Sequence, residues 1–375
     1  MIGLARPGFF DEREPKLARR LALAPLVPLA CAYGAGAWLA RRAHGRLLPA
    51  PARLSARVVS VGGLTVGGSG KTPTAAWIAA RLRERGHRVA LASRGYGRAG
   101  RARTLVVSDG VFVYAGAAEA GDEPLLLAAL APGVPVLVGR DRAAVGQRAI
   151  ALFGIDVLVL DDGFQHHRVS RDVEIVTFDG SGLGNGALLP RGPLREGLSE
   201  LARADAIWVV DGPLPASDAE RIERHAPAAR WCHARRRPTD VRPLRGGAAQ
   251  PAASLAGCEI GLLSGIAQPG SLRRTASNLG ARVVAERRFP DHHRYRERDL
   301  RGLAGRAPVW ITTQKDALKI LPSWAEALDL RVLGVELEVD GGEEFVDWLD
   351  RALRAQRRFQ KPSSFYPVIQ RAGRQ

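Results

Sequence analysis

A glycine-rich turn caught between an apolar strand and a helix constrains this 375-residue chain more than any other feature. Residues 57–62 read RVVSVG, residues 65–72 read TVGGSGKT, and residues 72–85 carry a helical pattern. A strand that turns through glycines straight into a helix is the setting a phosphate-binding P-loop requires. The backbone N–H groups of Val66, Gly67, Gly68, Ser69 and Gly70 can turn inward on phosphate oxygens, and the helix N-terminus adds its positive dipole. Lys71 would neutralise the β- and γ-phosphates of a nucleotide, and the Thr72 hydroxyl would ligate Mg²⁺. Thr65 stands where the strict pattern has its first glycine, so that position is not expected to cradle phosphate.

The rest of the chain repeats the same rhythm. Apolar strands are expected at residues 88–93, 134–138, 155–160, 173–178 and 206–210, with a helix at 141–153. This predicts an α/β, P-loop NTPase-like fold with a mostly parallel sheet flanked by helices. A Pro/Arg/Gly-rich stretch, residues 235–253, reads as a linker. Beyond it, strand patterns at 259–266, 282–288, 308–313 and 330–339 and a helix near 271–279 suggest a smaller C-terminal α/β domain. The expected division is an N-terminal apolar helical segment, 1–50, a P-loop core, 51–235, and a smaller unit with a polar, loosely ordered tail, 236–375.

Composition narrows the classes. Hydrophobic residues at 46% and charged residues at 25% exclude wholesale disorder, and three scattered cysteines exclude a disulfide framework or a Cys-rich zinc module. The formal charge of +17 comes from 55 Lys+Arg, of which only Lys16, Lys71, Lys315, Lys319 and Lys361 are lysines. GC-rich coding bias is a sufficient cause of such arginine excess; a surface that meets nucleic acid, phosphates or an acidic membrane is the functional alternative. Residues 21–40 carry no charge and are flanked by arginines. Twenty apolar residues reach the lower bound for spanning a bilayer, yet Pro25, Pro28, Gly34 and Gly36 interrupt them. A helix dipping into one leaflet with arginines at the headgroups is the expectation.

Four further segments carry chemistry. Asp161 and Asp162 end the buried strand IDVLVL, where a carboxylate can hold Mg²⁺ directly or through water. In AGDEPLLLAAL, Asp122 precedes a helix and reads locally as an N-cap, with Glu123 favouring the helix dipole. FPDHHRY places Asp291 beside His292 and His293, and adjacent histidines point apart. Lys315 and Asp316 follow a strand in ITTQKDALK, a pair able to read a nucleotide base edge and equally an ordinary helix start.

Taken in order, LTVGGSGKTP, SRGYGR, GDEP, VGRDR, DDGFQHHR, GNGALLPRGPLRE, DHH and TxKD resemble the tetraacyldisaccharide 4′-kinases, the lipid A 4′-kinases of Gram-negative bacteria. GDEP, DDGFQHHR and LPRGPLRE discriminate the family, because many unrelated NTPases share a P-loop. The resemblance implies transfer of phosphate from ATP to the 4′-hydroxyl of an acylated glucosamine disaccharide 1-phosphate. It implies Asp122 as the catalytic base, His292 as its partner and Glu123 beside it. It also places Asp161, Asp162, Gln165, His166, Arg140, Arg195 and Glu196 around phosphates and metal, with the ligand set open among Asp161, Asp162, Gln165 and Glu196. The expected setting is the cytoplasmic face of the bacterial inner membrane, peripheral or monotopic on an anionic surface, with no protein partner implied. A P-loop switch would need neither GDEP nor DHH. Nucleic acid is not expected, because no aromatic-interleaved basic motif accompanies the charge.

Overall fold

The computed structural model describes residues 7–13, 17–43, 49–98 and 102–355. Strands β1 (Arg57–Gly63), β2 (Val89–Ser93), β3 (Leu105–Ser108), β4 (Val136–Val138), β5 (Val157–Asp161), β6 (Val173–Asp179) and β7 (Ala206–Val210) lie in the first half. Strands β8 (Arg230–Pro243), β9 (Gln250–Pro251), β10 (Glu259–Ser264), β11 (Arg282–Arg288), β12 (Val309–Thr313) and β13 (Leu330–Val339) follow. They make one sheet in the order β11-β10-β12-β13-β8-β7-β6-β1-β5-β2-β4-β3, with β9 on β8. Pairing is parallel except at β13–β8, β3–β4 and β8–β9. The central strands β1, β5 and β6 are buried almost end to end because both of their faces are covered.

Eleven helices are described: α1 (Leu17–Ala22), α2 (Leu26–Ala43), α3 (Lys71–Glu84), α4 (Ala117–Ala120), α5 (Asp122–Leu130), α6 (Arg142–Phe153), α7 (Ala216–His225), α8 (Pro269–Asn278), α9 (Glu297–Leu300), α10 (Gln314–Ala317) and α11 (Gly342–Arg354). Helices α3, α5 and α11 bury apolar side chains on one face of the first half-sheet. Helix α6 covers the other face through Val145 and Ala149.

Two expectations need correction. The stretch read as a linker is mostly strand: β8 runs fourteen residues, pairs with β7 on one side and β13 on the other, and carries the sheet without a break from one half to the other. The arginines that suggested a loop face outward, where Arg235 forms an ion pair with Glu338 at 2.9 Å and Arg237 approaches it at 3.6 Å. The boundary expected at 235/236 therefore falls inside a hydrogen-bonded strand. Nor does the end of the chain stay with the second half. Helix α11 returns to the first, where Phe345 packs edge-on against buried Trp208 at 4.8 Å and Asp350 accepts from His87 at 2.6 Å. Burying those two aromatics alone stabilises the return by roughly 3–6 kcal/mol.

The uncharged N-terminal stretch is two helices, broken at residues 23–25 where Pro25 cannot donate to a continuing ladder. No helix among the described residues is long and apolar enough to cross a membrane. Leu17, Leu21, Leu29, Trp38 and Leu39 point outward. The segment is nevertheless tied down: the Asn185 N–H donates to Phe10 O at 2.6 Å, Arg13 pairs with buried Asp218 at 2.6 Å, and Arg41 pairs with Glu200 at 3.0 Å. Lys16, Arg46 and the tail from residue 356 lie outside the described residues.

Candidate active site

The cleft sits at the carboxyl ends of β1, β5, β7, β10 and β12, as expected where neighbouring parallel strands send their connections in different directions. Its volume is about 840 Å³, and both halves of the chain line it. Strand β1 delivers the P-loop to one wall. A Cβ on Gly62 would lie 2.5 Å from the backbone N of Phe164, so only glycine lets β1 pass so close to the segment after β5. Gly70 turns at φ 78° and hands the chain to α3, whose first residue is Lys71. The Lys71 ammonium folds back over the loop, donating to Gly67 O at 3.2 Å and lying 3.4 Å from Ser69 Oγ. Ser69 Oγ is itself held 3.0 Å from Thr177 Oγ1 of β6.

Thr65 has a structural explanation. It is buried and bridges to Leu194, while the Val66 N–H donates to Pro193 O at 2.9 Å. The LPRGPLRE segment is thus strapped across the start of the loop. The Val66 amide, expected to face phosphate, is already committed, which leaves that task to the amides from Gly67 onward. The same strap delivers Arg195, which donates to Asp162 Oδ1 at 2.8 Å and to Gln165 Oε1 at 3.2 Å. Gln165 in turn donates to Gly63 O at 3.1 Å.

Behind Lys71 lies an acidic cluster. Asp161 is buried at the end of β5, with Thr72 Oγ1 3.4 Å from both of its oxygens and Ser93 Oγ at 3.4 Å. Burial, followed by the charges of Glu123 and Asp162, pushes its pKa well up. Burial also raises Glu123. Asp162 goes the other way: burial opposes its charge, but Arg195 and Lys71, the latter 4.0 Å away, outweigh it. Asp162 adopts φ 52°, a left-handed conformation that Asp tolerates better than most residues. Three acids in one place with burial working against their charge form an environment that a divalent cation would relieve. Among the described residues no three His, Cys, Asp or Glu side chains converge into a cage. Mg²⁺ takes one or two carboxylates and completes its shell with water and phosphate oxygens.

The opposite wall brings together residues 170 positions apart. Gly121, at φ 91°, caps α5, so Asp122 is its first helical residue rather than the cap. A Cβ on Gly121 would meet Tyr96 O at 2.7 Å, which makes glycine obligatory there. Asp122 is buried, and its two oxygens lie 3.0 and 2.9 Å from His292 Nδ1. Burial opposes the Asp122 charge, yet the His292 hydrogen bond and Lys315 hold the carboxyl far below its ordinary range. The same bond is the main reason the His292 pKa rises. His292 takes φ 59°, which separates it from its neighbour: His293 stacks on Phe289 at 4.3 Å and bonds Asp299 at 3.0 Å. The adjacent histidines therefore have unlike roles, one in the cleft and one in the packing.

Several expected residues stand elsewhere. Lys315 Nζ lies 3.0 Å from Asp291 and 3.6 Å from Asp122. Asp316 is fully buried, accepting from the Gly265 N–H at 3.0 Å and from Thr313 Oγ1 at 2.8 Å, and so is closed to a nucleotide. Glu196 turns to His167 at 3.2 Å and Arg203 at 3.0 Å, away from Asp161. Arg140 is exposed. Two residues on, Arg142 is the buried guanidinium among the acids, its charge favoured by Asp161 and Asp162 while burial lowers its pKa to about 10. Arg142 also donates to Gly139 O. Only Arg140 of VGRDR is expected from the sequence, because residue type alone does not say which arginine turns inward. His166 sits near Arg142; burial first, then that charge, pushes its pKa down to about 3 and keeps it neutral.

A family model described as Tetraacyldisaccharide-1-P 4′-kinase matches residues 22–354. A tetraacyldisaccharide 4′-kinase of Anaeromyxobacter sp. (strain Fw109-5) is 43% identical over 345 residues, spanning 88% of this chain and 92% of the relative. That of Geobacter sulfurreducens is 40% identical over 327 residues, spanning 84% and 91%. The crystal structure of the "apo" form of LpxK from Aquifex aeolicus in complex with ATP is similar at a TM-score of 0.73 and 30% identity, covering 88% of this chain and 99% of that one.

Proposed function

Because the chain belongs to the tetraacyldisaccharide-1-phosphate 4′-kinase family, we propose that Asp122 and His292 receive the proton of the acceptor's 4′-hydroxyl while Lys71 and the P-loop hold ATP. The enzyme is an ATP-dependent kinase of lipid A assembly, transferring the γ-phosphate to the 4′-hydroxyl of a tetraacyldisaccharide 1-phosphate. The observation that supports the assignment of roles is the 2.9 Å contact between Asp122 and His292, which lines the same cleft as Lys71.

The chemistry follows from that placement. The amides of residues 67–70 and the start of α3 stabilise a triphosphate, and Lys71 carries charge for the β- and γ-oxygens. Asp161, with Thr72 beside it, would hold Mg²⁺, and the neighbouring Asp162 is balanced by Arg195. When bound, the ion would neutralise charge on the phosphoryl oxygens. His292 fixes the Asp122 carboxylate in one orientation, so the acceptor hydroxyl finds its proton acceptor already aimed.

The N-terminal helices support a second part of the proposal, attachment to an anionic membrane surface. Their outward leucines and Trp38 offer apolar area, and arginines flank the run. Tyr33 of α2 is close enough to Arg195 and Glu196 for their charges to act on its hydroxyl, so this surface adjoins the cleft. We infer that the acceptor reaches the cleft from the headgroup level, on the cytoplasmic face. Transfer of labelled γ-phosphate from ATP to the acylated disaccharide 1-phosphate, with the product position determined, tests the reading; active, solubilised enzyme that labels no 4′-position overturns it.

A further inference from the structure

The role just assigned to Asp122 leaves two buried lysines unexplained. Lys315 and Lys319 stand one turn apart and both approach Asp122 Oδ2, at 3.6 and 3.8 Å. Neither is at hydrogen-bond distance from it, because each has a nearer acid: Lys315 has Asp291 at 3.0 Å and Lys319 has Asp316 at 3.0 Å. The two nearer acids differ in kind. Asp316 is fully buried and already occupied by Gly265 and Thr313, and Lys319 sits over the Tyr295 ring at 5.3 Å, outside the cleft lining. Asp291 and Lys315 both line the cleft that Lys71, Asp162 and Arg195 also line. The charges of Lys315 and Lys71 both act on the Glu123 carboxyl, and all three residues line the cleft.

A lysine is a compact charge on a flexible stem, and one shared between two carboxylates at a cleft wall is free to exchange them for a stronger anion. We propose that Lys315 is a second phosphoryl-facing cation of this reaction, held ready by Asp122 and Asp291 in the cleft that Lys71 also lines, and that it swings to the oxygens of the transferring γ-phosphoryl group. The proposal rests on the kinase reading above. In the step itself the 4′-oxygen bonds to the γ-phosphorus, the bond from that phosphorus to the β,γ-bridging oxygen breaks, ADP departs, and the hydroxyl proton passes to Asp122. Lys315 would stabilise charge where it spreads over the equatorial oxygens. Its departure also removes one of the cationic groups that suppress the basicity of Asp122, leaving His292 and Lys319, with Asp291 and Glu123 nearby. The acceptor thus becomes more basic as the phosphoryl group arrives.

The test uses full-length enzyme, ATP with Mg²⁺, and the tetraacylated disaccharide 1-phosphate in mixed micelles. Lys315→Met should lower kcat by about 10²–10³-fold while KM for ATP stays within about threefold. Calorimetry should show ADP–aluminium fluoride binding weakened by at least about tenfold, with ADP binding unchanged. Lys315→Arg, which keeps the charge, should retain kcat within about tenfold of wild type. A Met variant within about threefold of wild-type kcat, a loss carried by KM alone, or unchanged aluminium fluoride affinity overturns the proposal. Equal losses in Met and Arg variants overturn it too, since charge would not be what matters. Wild-type enzyme that labels no acceptor overturns the reaction itself, and this assignment with it.

Discussion

Replacing Asp122 by Ala separates catalysis from stability in a way the geometry makes quantitative. The carboxylate accepts one charge-assisted hydrogen bond from His292, worth about 1.5–3 kcal/mol. The two lysines lose less, because each keeps a closer acid at 3.0 Å. Relief of the burial cost of Asp122 offsets part of the loss, so the net destabilisation should be about 1–3 kcal/mol near neutral pH. Turnover should fall by about 10²–10⁴, the usual contribution of a positioned base, with ATP saturation little changed.

The pH dependence has a definite shape. Asp122 has a folded pKa below its ordinary 3.8, so its contribution is present above that pH and is lost as acid protonates it. His292 has a folded pKa above its ordinary 6.5, so its contribution is full below 6.5 and is lost as pH rises through the folded value. The stability gap between wild type and Asp122→Ala should therefore be widest from about pH 4 to 6.5 and shrink on both sides. Urea titrations across pH, beside initial rates under chemistry-limited conditions, check both parts. Near-wild-type turnover refutes the base assignment, and a gap flat from pH 4 to 8 refutes the pairing.

Three other substitutions probe separate links. Lys71→Ala should reduce kcat/KM for ATP by roughly 10²–10³, and unchanged saturation and turnover would remove the P-loop from the reaction. His293→Ala should cost about 1 kcal/mol of stability through the lost Asp299 bond yet leave kcat intact; a loss of turnover like that of His292→Ala would mean the two histidines had been assigned in reverse. Deleting residues 1–40 should move the enzyme from the liposome pellet to the supernatant, and unchanged co-sedimentation would reject membrane attachment through this segment.

Local features were legible in the sequence wherever one segment carries its own geometry. The P-loop needs only a strand, glycines and a helix, and those are contiguous. Asp161 and Asp162 follow directly from the end of a buried strand. What stayed hidden depends on distant segments meeting. Nothing in ITTQKDALK says that Lys315 will face Asp122 rather than a nucleotide base, since that depends on how β12 sits against α5. Arginine content concealed β8, because outward-facing charged residues on a strand resemble a loop when only composition is read. Likewise Val66 looked available for phosphate until the Pro193 carbonyl was found against its amide. The family resemblance implied Asp122 and His292 as partners, and the two lie 3.0 Å apart, where spacing alone offered a helix cap and an ambiguous His-His step.

Strand β8 also decides how the cleft can deform. With β7 along one edge and β13 along the other, the Lys71 wall and the Lys315 wall hang on a single hydrogen-bonded ribbon. Such a ribbon resists stretching far more than twisting. The two pairings use successive halves of the strand, residues 230–234 against β7 and 234–243 against β13, and they overlap only at Ala234. A rotation of one wall against the other would therefore pass through that one residue, so its backbone sets the angle between the two lysines.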